Sequence, residues 1–319
     1  MLKIAYFGSD LFSINVLLRL LPSYHANITV VTREAKLSGR GMKSYKEPAL
    51  VHFAQQTQLP LLRADSRHQF DALAGKFDLC IAVSYGKLIP GSFLETLRFP
   101  GLNVHPSLLP SFSGPAPIQR ALLSHQPYTG VSIQTLDKKH FDRGNILLQE
   151  KYPIARDETL FSLIDRLGTK GGQLLKHVLD NKLYDSSVQP YITPTEPFSH
   201  AAKIQPQEKL INWHSYTTEH LIRRENTLGP LYTKIAAVSR TGEHGSKRVY
   251  LPNLRPAMRL PDLTQPGQFA LHDDKLVVAT ADGAVECAGA KVAGFPEEKP
   301  AKFLSSMKKR AGTVSSQFL

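Results

Sequence analysis

The segment Leu2–Leu21, LKIAYFGSDLFSINVLLRLL, decides the fold of the first half of the chain. A short apolar run ends at the turn Gly8-Ser9-Asp10, and the apolar residues that follow have helical spacing. This pattern predicts a buried strand, a turn and a helix packed on that strand. The turn lacks G-x-G-x-x-G, which disfavours NAD and FAD, so we interpret it as a turn capped by Ser or Asp.

The same alternation continues along the chain. Further strand-like runs occupy Ala26–Val31, Asp78–Val83 and Gly101–Val104, and two more lie within Thr129–Leu148. Ala49–Gln56 has helical spacing, and a long amphipathic helix covers Thr159–Leu179. Apolar strands separated by helices are typical of a parallel sheet that is covered on both faces. The predicted fold class is therefore α/β, with a mainly parallel sheet over residues 1–184.

The pattern changes after residue 184. Residues 185–206 contain the proline-rich stretch DSSVQPYITPTEPFSH and are predicted to be an extended linker. In residues 207–319, one helix (Thr217–Asn226) precedes short β-rich runs separated by turn signals. This texture predicts a small β-barrel as the second domain.

Composition limits the possible functions. Of 319 residues, 42% are hydrophobic, and 39 Lys and Arg against 27 Asp and Glu give a net charge of +12. An excess of this size indicates a polyanionic partner, with nucleic acid as the first candidate. No apolar run approaches the roughly 18 residues that predict a membrane span. Cys80 and Cys287 lie in strand-like runs, so we expect packed thiols in a reducing compartment rather than a disulfide framework or a structural zinc site.

The segment Gly101–Pro110, GLNVHPSLLP, contains two candidate catalytic residues. Asn103 and His105 are two positions apart, so on a strand they face the same way. Asp142 lies in a Gly-containing turn just before an apolar strand, although Asp137 is a nearby alternative. Each residue alone is more often a core or turn residue, but the combination of a carboxamide, an imidazole and a carboxylate predicts a catalytic site.

Four motifs carry a specific resemblance. They are N-x-H-P-S-L-L-P at Asn103–Pro110, G-x-A-P-I-Q-R at Gly114–Arg120, T-G-V-S-I at Thr129–Ile133 and D-x-G at Asp142–Gly144. Together they make the chain resemble the formyltetrahydrofolate-dependent formyltransferases, and within that family the methionyl-tRNA formyltransferases, fungal mitochondrial members above all.

The resemblance implies a Rossmann-like formyltransferase domain followed by an OB-like β-barrel domain that binds tRNA. It implies transfer of the formyl group of 10-formyltetrahydrofolate to the α-amino group of initiator methionyl-tRNA, with Asn103, His105 and Asp142 as the catalytic residues and no metal. The implied folate contacts are Ser107, Leu108, Leu109, Pro110, Tyr85, Gly86 and Leu88. A cis peptide bond between Leu109 and Pro110 is also implied.

Basic residues mark the expected tRNA surface. The loop Arg33–Lys46 carries five basic residues and one acidic residue, and its Gly-Arg-Gly tip matches the loop with which the family meets the acceptor stem. We expect this loop to be disordered alone and ordered by tRNA. The residues predicted to bind tRNA are Lys36, Arg40, Lys43, Lys308, Lys309 and Arg310.

Other interpretations stay open at this point. A formyltransferase acting on an amino-sugar nucleotide would share the three catalytic residues, and a formyltetrahydrofolate hydrolase would need no acceptor. A non-catalytic RNA-binding protein would explain the charge but would leave the three residues without purpose. The resemblance favours the mitochondrial matrix, although MLKIAYFGSD has no transit-peptide pattern, and the alternative is a bacterial-type cytoplasm. We expect a monomer with no membrane partner.

Overall fold

The computed structural model describes residues 2–38, 41, 44–185, 187, 191–239 and 241–319. Its contacts divide the chain into two compact units, Met1–Lys203 and Ile204–Leu319. The division falls within the predicted linker 185–206, and the exact domain limits remain a prediction. Among the described residues, no helix is both long enough and apolar enough to cross a membrane.

The first unit has nine strands among the described residues, and seven of them form one sheet. Its strands are β1 (Ile4–Gly8), β2 (Ile28–Thr32), β3 (Lys36–Ser38), β4 (Ser44–Lys46), β5 (Leu61–Arg63), β6 (Leu79–Val83), β7 (Leu102–His105), β8 (Tyr128–Thr135) and β9 (Ile146–Pro153). The seven-stranded order is β5-β2-β1-β6-β7-β8-β9, while β3 and β4 pair separately. The five strands β5, β2, β1, β6 and β7 run parallel to one another. Strand β8 is antiparallel to β7, and β9 is antiparallel to β8. The mainly parallel sheet is thereby confirmed.

Helices accompany the strands of this sheet. They are α1 (Leu11–Tyr24), α2 (Ala49–Gln56), α3 (Arg67–Asp71), α4 (Gly91–Leu94), α5 (Pro117–Leu123) and α6 (Leu160–Asp180). Helical spacing predicted α1, α2 and α6, whereas the three shorter helices were not predicted. Asp10 caps α1, since its side chain accepts from the Ser13 amide at 3.0 Å while Ser13 Oγ accepts from the Asp10 amide at 3.1 Å. The first turn is therefore a helix cap, as expected.

Strands β3 and β4 are the two flanks of the basic loop. Lys36 pairs with Lys46, Leu37 with Tyr45 and Ser38 with Ser44, so these flanks form an antiparallel hairpin. Ordering of the loop by tRNA stays a prediction. Arg40 and Lys43, near its tip, lie outside the described residues.

The second unit contains helices α7 (Thr218–Leu228) and α8 (Pro300–Ala311). Its strands are β10 (Leu231–Val238), β11 (His244–Leu251), β12 (Arg255–Ala257), β13 (Phe269–His272), β14 (Lys275–Ala279), β15 (Ala284–Cys287) and β16 (Lys291–Val292). They form two antiparallel sheets, β10-β11-β16 and β12-β15-β14-β13. The expected closed barrel is not confirmed, because no strand ladder joins the two sheets within the described residues.

The larger of the buried clusters in the second unit is rich in aromatic residues. Trp213 is 2% exposed, stacks on Phe318 and donates its indole N–H to Thr233 Oγ1 at 2.8 Å. Cys287 also lies in this core, and burial raises its pKa to about 12. Cys80 is buried in the first unit, so both thiols are free and packed as expected.

Candidate active site

Strand β7 presents Asn103 and His105 on the same face of the sheet. Val104, between them, points the other way into the main core of the first unit. His105 is 6% exposed, whereas Asn103 is only half-buried. The Asn103 side chain makes no hydrogen bond to any described residue, so its amide group is available to a ligand.

Asp142 reaches His105 because the loop before β9 folds back on β8. Gly144 is required for this return, since a Cβ there would lie 1.6 Å from the Thr135 carbonyl oxygen. Asp142 itself has a φ of 53°, in the left-handed region. Its Oδ1 lies 3.4 Å from His105 Nδ1, and its Oδ2 accepts a hydrogen bond from the Gly114 amide at 2.7 Å. The chain spacing alone could not show why this D-x-G needs its glycine.

Asp137 is occupied elsewhere. Its Oδ1 accepts from the amides of Lys139 and His140, each at 2.8 Å, and these backbone hydrogen bonds lower its pKa. This carboxylate stabilises its own turn, so the structure brings Asp142, and not Asp137, to the imidazole.

The imidazole of His105 has a different neighbour at each ring nitrogen. Nε2 lies 3.0 Å from the Phe112 carbonyl oxygen, which can only accept, so Nε2 carries a hydrogen. Nδ1 lies 3.4 Å from Asp142 Oδ1 and so faces a carboxylate oxygen. His105 and Asp142 are therefore a neighbouring imidazole and carboxylate pair in the cavity wall.

Residues 198–201, here called the strap, contact the loop whose Phe112 carbonyl and Gly114 amide bond to His105 and Asp142. The strap lies in the predicted linker, and sequence reasoning missed it. Ser199 Oγ accepts from the Phe112 amide at 2.8 Å, and the Ser199 carbonyl accepts from the Ser113 amide at 2.9 Å. Gly114, at a φ of +125°, has no room for a side chain, because a Cβ would lie 2.9 Å from both the Ala201 carbonyl oxygen and His200 Cε1. The strap thereby fixes the loop that bonds both His105 and Asp142.

A cavity of ≈ 720 Å³ opens over these residues. Asn103, His105 and Asp142 line it together with Tyr85, Gly86 and Leu88, three of the residues predicted to contact folate. Asp10 also lines it, and burial raises the pKa of that carboxyl group. The cavity has the size of sites for compact organic ligands, about 300–1,000 Å³.

Four other predicted folate contacts have a different place. Ser107, Leu108, Leu109 and Pro110 do not line the cavity, and the first three are buried. The Leu109–Pro110 peptide bond is cis, as expected. Ser132 Oγ accepts from the Leu109 amide at 3.0 Å and Gln149 donates to the Leu109 carbonyl at 2.8 Å, so in this structure the segment shapes a turn. Its contact with folate stays a prediction.

The basic residues differ in accessibility. Lys36 is exposed on β3, and Lys308 and Lys309 are exposed on the last turn of α8. Arg310, next to them, forms an ion pair with Glu298 and stacks 4.4 Å from the Phe295 ring centroid. No cluster of three metal-ligating side chains occurs among the residues that the structure describes.

Comparisons with known proteins show the family of this chain. Residues 2–179 match the family model described as formyl transferase. The mitochondrial methionyl-tRNA formyltransferase of Saccharomyces cerevisiae is 33% identical over 100% of this chain and 92% of its own length. The methionyl-tRNA formyltransferase of Parvibaculum lavamentivorans is 31% identical over 92% of this chain and 93% of its own.

Solved structures share the fold at low identity. HypX from Aquifex aeolicus, in complex with tetrahydrofolic acid, has a TM-score of 0.61 at 16% identity and covers 97% of this chain, which spans 48% of that protein. An N-formyltransferase from Helicobacter canadensis, solved with folinic acid and dTDP-3-aminofucose, has a TM-score of 0.56 at 14% identity, covering 90% of this chain and 98% of that one. These two likenesses concern the fold alone.

Proposed function

The chain belongs to the formyl transferase family, among the methionyl-tRNA formyltransferases, and we propose that it formylates the α-amino group of initiator methionyl-tRNA from 10-formyltetrahydrofolate. The observation that carries the proposal is the meeting of Asn103, His105 and Asp142 in one cavity of a family member. The chain is thus an enzyme, a one-carbon group transferase.

The cavity fits the donor. Its volume of ≈ 720 Å³ and its mixed wall, with Leu88 and Ile89 beside polar groups, suit a folate ring system. When bound, 10-formyltetrahydrofolate supplies the formyl group. Tyr85, Gly86 and Leu88 would hold it, on one side of the strand that carries Asn103 and His105.

Asn103 has the electrostatic role. Negative charge develops on the formyl oxygen when an amine attacks the formyl carbon, and a fixed donor aimed at that oxygen stabilises it. Asn103 has a free amide N–H donor facing the cavity. His105 Nε2 already donates to the Phe112 carbonyl oxygen, so the carboxamide of Asn103 is the better-placed donor to this oxygen.

His105 and Asp142 move protons. The attacking amine must lose a proton and the departing folate nitrogen must gain one. Nδ1 of His105 and the Asp142 carboxylate lie side by side in the cavity wall. The pair can take a proton from the attacking amine and pass one to the departing folate nitrogen, which returns the pair to its starting state.

Exposed cations would hold the tRNA. Lys36 on the hairpin and Lys308 and Lys309 on α8 have side chains that can reach phosphates, as nucleic-acid binding requires. The ion pair of Arg310 with Glu298 favours its two neighbours over it as phosphate contacts. Arg40 and Lys43 remain proposed contacts outside the described residues. A tRNA-binding role for the second unit, OB-like or not, is part of this proposal.

One assay tests the function. Purified protein is given 10-formyltetrahydrofolate with charged initiator methionyl-tRNA, elongator methionyl-tRNA, a dTDP-amino sugar or no acceptor. We expect formyl transfer to initiator methionyl-tRNA above all. Formate release without acceptor would establish a hydrolase, and transfer to the amino sugar would establish a sugar formyltransferase.

Location and assembly are proposals of the same kind. The full-length likeness to the yeast mitochondrial enzyme supports the mitochondrial matrix, and the likeness to the bacterial enzymes keeps a bacterial-type cytoplasm as the alternative. Fluorescence microscopy of the tagged full-length protein in its own cells separates the two. We propose a monomer, which light scattering would test.

A further inference from the structure

Two phenylalanine rings stand open on the wall of the catalytic cavity. Phe141 is 58% exposed and Phe198 is 55% exposed, and both line the cavity with the three catalytic residues. Rings exposed to this extent contribute little to a core, since burial is what makes an aromatic side chain stabilising. Their position next to the reacting groups suggests a ligand with a flat face.

A cation accompanies these rings. The Cζ atom of Arg143 lies 4.8 Å from the centroid of the Phe198 ring, and Arg143 also lines the cavity. The guanidinium group is exposed, so its N–H donors remain open to an anion. Phe141 and Arg143 directly flank Asp142 in the chain, which ties this surface to the catalytic carboxylate.

We propose that Phe141, Arg143 and Phe198 form a subsite for the 3′-terminal nucleoside of the aminoacylated acceptor strand. This inference rests on the proposed function. The reacting α-amine is joined to the terminal ribose by a short ester linkage, so placing the amine at Asn103 puts the terminal nucleoside beside the catalytic residues. An aromatic ring stacks on a nucleobase of any identity, and an arginine beside it can bind the adjoining phosphate.

The proposed subsite and the proposed folate contacts follow different neighbours of β7. Strand β7 lies between β6 and β8. Tyr85, Gly86 and Leu88 follow β6, whereas Phe141 and Arg143 follow β8. Both sets line the same cavity as Asn103 and His105, so two substrates held there would meet at the residues of β7, as a direct transfer requires.

The test compares acceptors of decreasing size in steady-state kinetics. They are initiator methionyl-tRNA, 3′-O-methionyl adenosine and a methionyl ester of ribose without a base. We expect Phe198→Ala to raise KM about tenfold for the first two acceptors, the scale of one lost stacking contact. We expect KM for the base-free ester and for 10-formyltetrahydrofolate to stay within twofold of wild type. Phe198→Tyr, which keeps a ring, should restore the wild-type KM.

Phe161→Ala is the matched control. Phe161 is 69% exposed on α6 but does not line the cavity, so its loss should change no kinetic constant. Arg143→Ala provides a second variant should Phe198→Ala fail to fold, and it should raise KM for methionyl-tRNA more than for the adenosine ester, which has no phosphate.

Each opposite result is decisive. If wild type formylates methionyl-tRNA and Phe198→Ala matches it on every acceptor, the subsite is wrong and the function stands. A raised KM for the folate donor instead would assign the rings to folate. If wild type formylates no acceptor, the function is wrong, and binding of the trinucleotide CCA, compared between wild type and Phe198→Ala by NMR titration, decides the subsite independently.

Discussion

His105 and Asp142 face each other at 3.4 Å between Nδ1 and Oδ1, and each is held from behind by the same backbone loop. The Phe112 carbonyl bonds the imidazole and the Gly114 amide bonds the carboxylate. Because one loop bonds to both side chains, the distance between them depends on the position of that loop. Catalysis should therefore respond to changes in the loop and in the strap that fixes it.

We predict that Asp142→Asn lowers kcat by about 100-fold or more, because the pair can no longer hold and return a proton. Asparagine keeps an oxygen that can accept from Gly114, so the fold should survive. Stopped-time formylation assays measure the effect. Asp137→Asn is the matched control and should keep wild-type kcat, and an inactive Asp137→Asn beside an active Asp142→Asn would show that the wrong carboxylate was assigned.

We predict that Asn103→Ala lowers kcat by about 100- to 1,000-fold with little change in KM for either substrate. The lost donor acts mainly on charge that develops in the transition state, so ground-state binding should change little. Asn145→Ala, in the loop after β8 and away from the cavity wall, should be unchanged. A rise in KM at constant kcat would mean that Asn103 only binds substrate.

We predict that Ser199→Ala lowers kcat by about fivefold, on the scale of one hydrogen bond of about 1 kcal/mol. The alanine removes the Oγ that accepts from the Phe112 amide and so loosens the carbonyl that orients His105. Ser199→Thr, which keeps the hydroxyl group, should recover most of the rate. Equal losses in the alanine and threonine variants would argue against the strap.

We predict that Lys36→Ala weakens tRNA binding and reduces the slope of log K against log salt by about one. A single phosphate contact releases about one counterion. Filter binding at several salt concentrations measures the slope. Lys76→Ala, an exposed lysine remote in sequence from the hairpin, is the control, and an unchanged slope for Lys36→Ala would remove this residue from the tRNA surface.

We predict an acid-sensitive contribution from Glu298 to the second unit. Burial acts to raise the pKa of Glu298, but hydrogen bonds from Arg310 and Ser306 outweigh it, so the pKa lies below its usual value. A carboxyl group whose pKa is lower in the folded state stabilises that state at pH values above its unfolded pKa of about 4.3. This contribution is lost as the pH falls through the pKa of the folded state.

Glu298→Gln should therefore cost about 1.5 kcal/mol at pH 7, and the difference from wild type should shrink below about pH 4. Trp213 is the single tryptophan of the chain and is buried in the second unit, so urea unfolding followed by its fluorescence reports on that unit. Glu297→Gln, which changes the exposed residue next to Glu298, is the control. A difference that persists unchanged at acid pH would contradict the assignment.

Local pattern was enough to predict much of the first unit. The turn Gly8-Ser9-Asp10 and the helix after it are set by short-range capping and helical spacing, and the alternation on β7 alone places Asn103 beside His105. The resemblance then singled out Asp142. These features depend on residues close together in the chain, so the sequence displays them directly.

Pairings between distant residues needed the tertiary structure. The sequence pattern of residues 198–201 is that of a proline-rich linker, yet these residues fix the loop that orients His105, and the basic loop that looked mobile forms a hairpin at its flanks. The strand-like runs of the second unit predicted a barrel, but the described strands form two separate sheets. Nothing in the sequence around Phe141 or Phe198 indicates that these rings line a cavity. Which strands pair, and which loops meet, follows from packing summed over the whole chain, and no short window of sequence contains that sum.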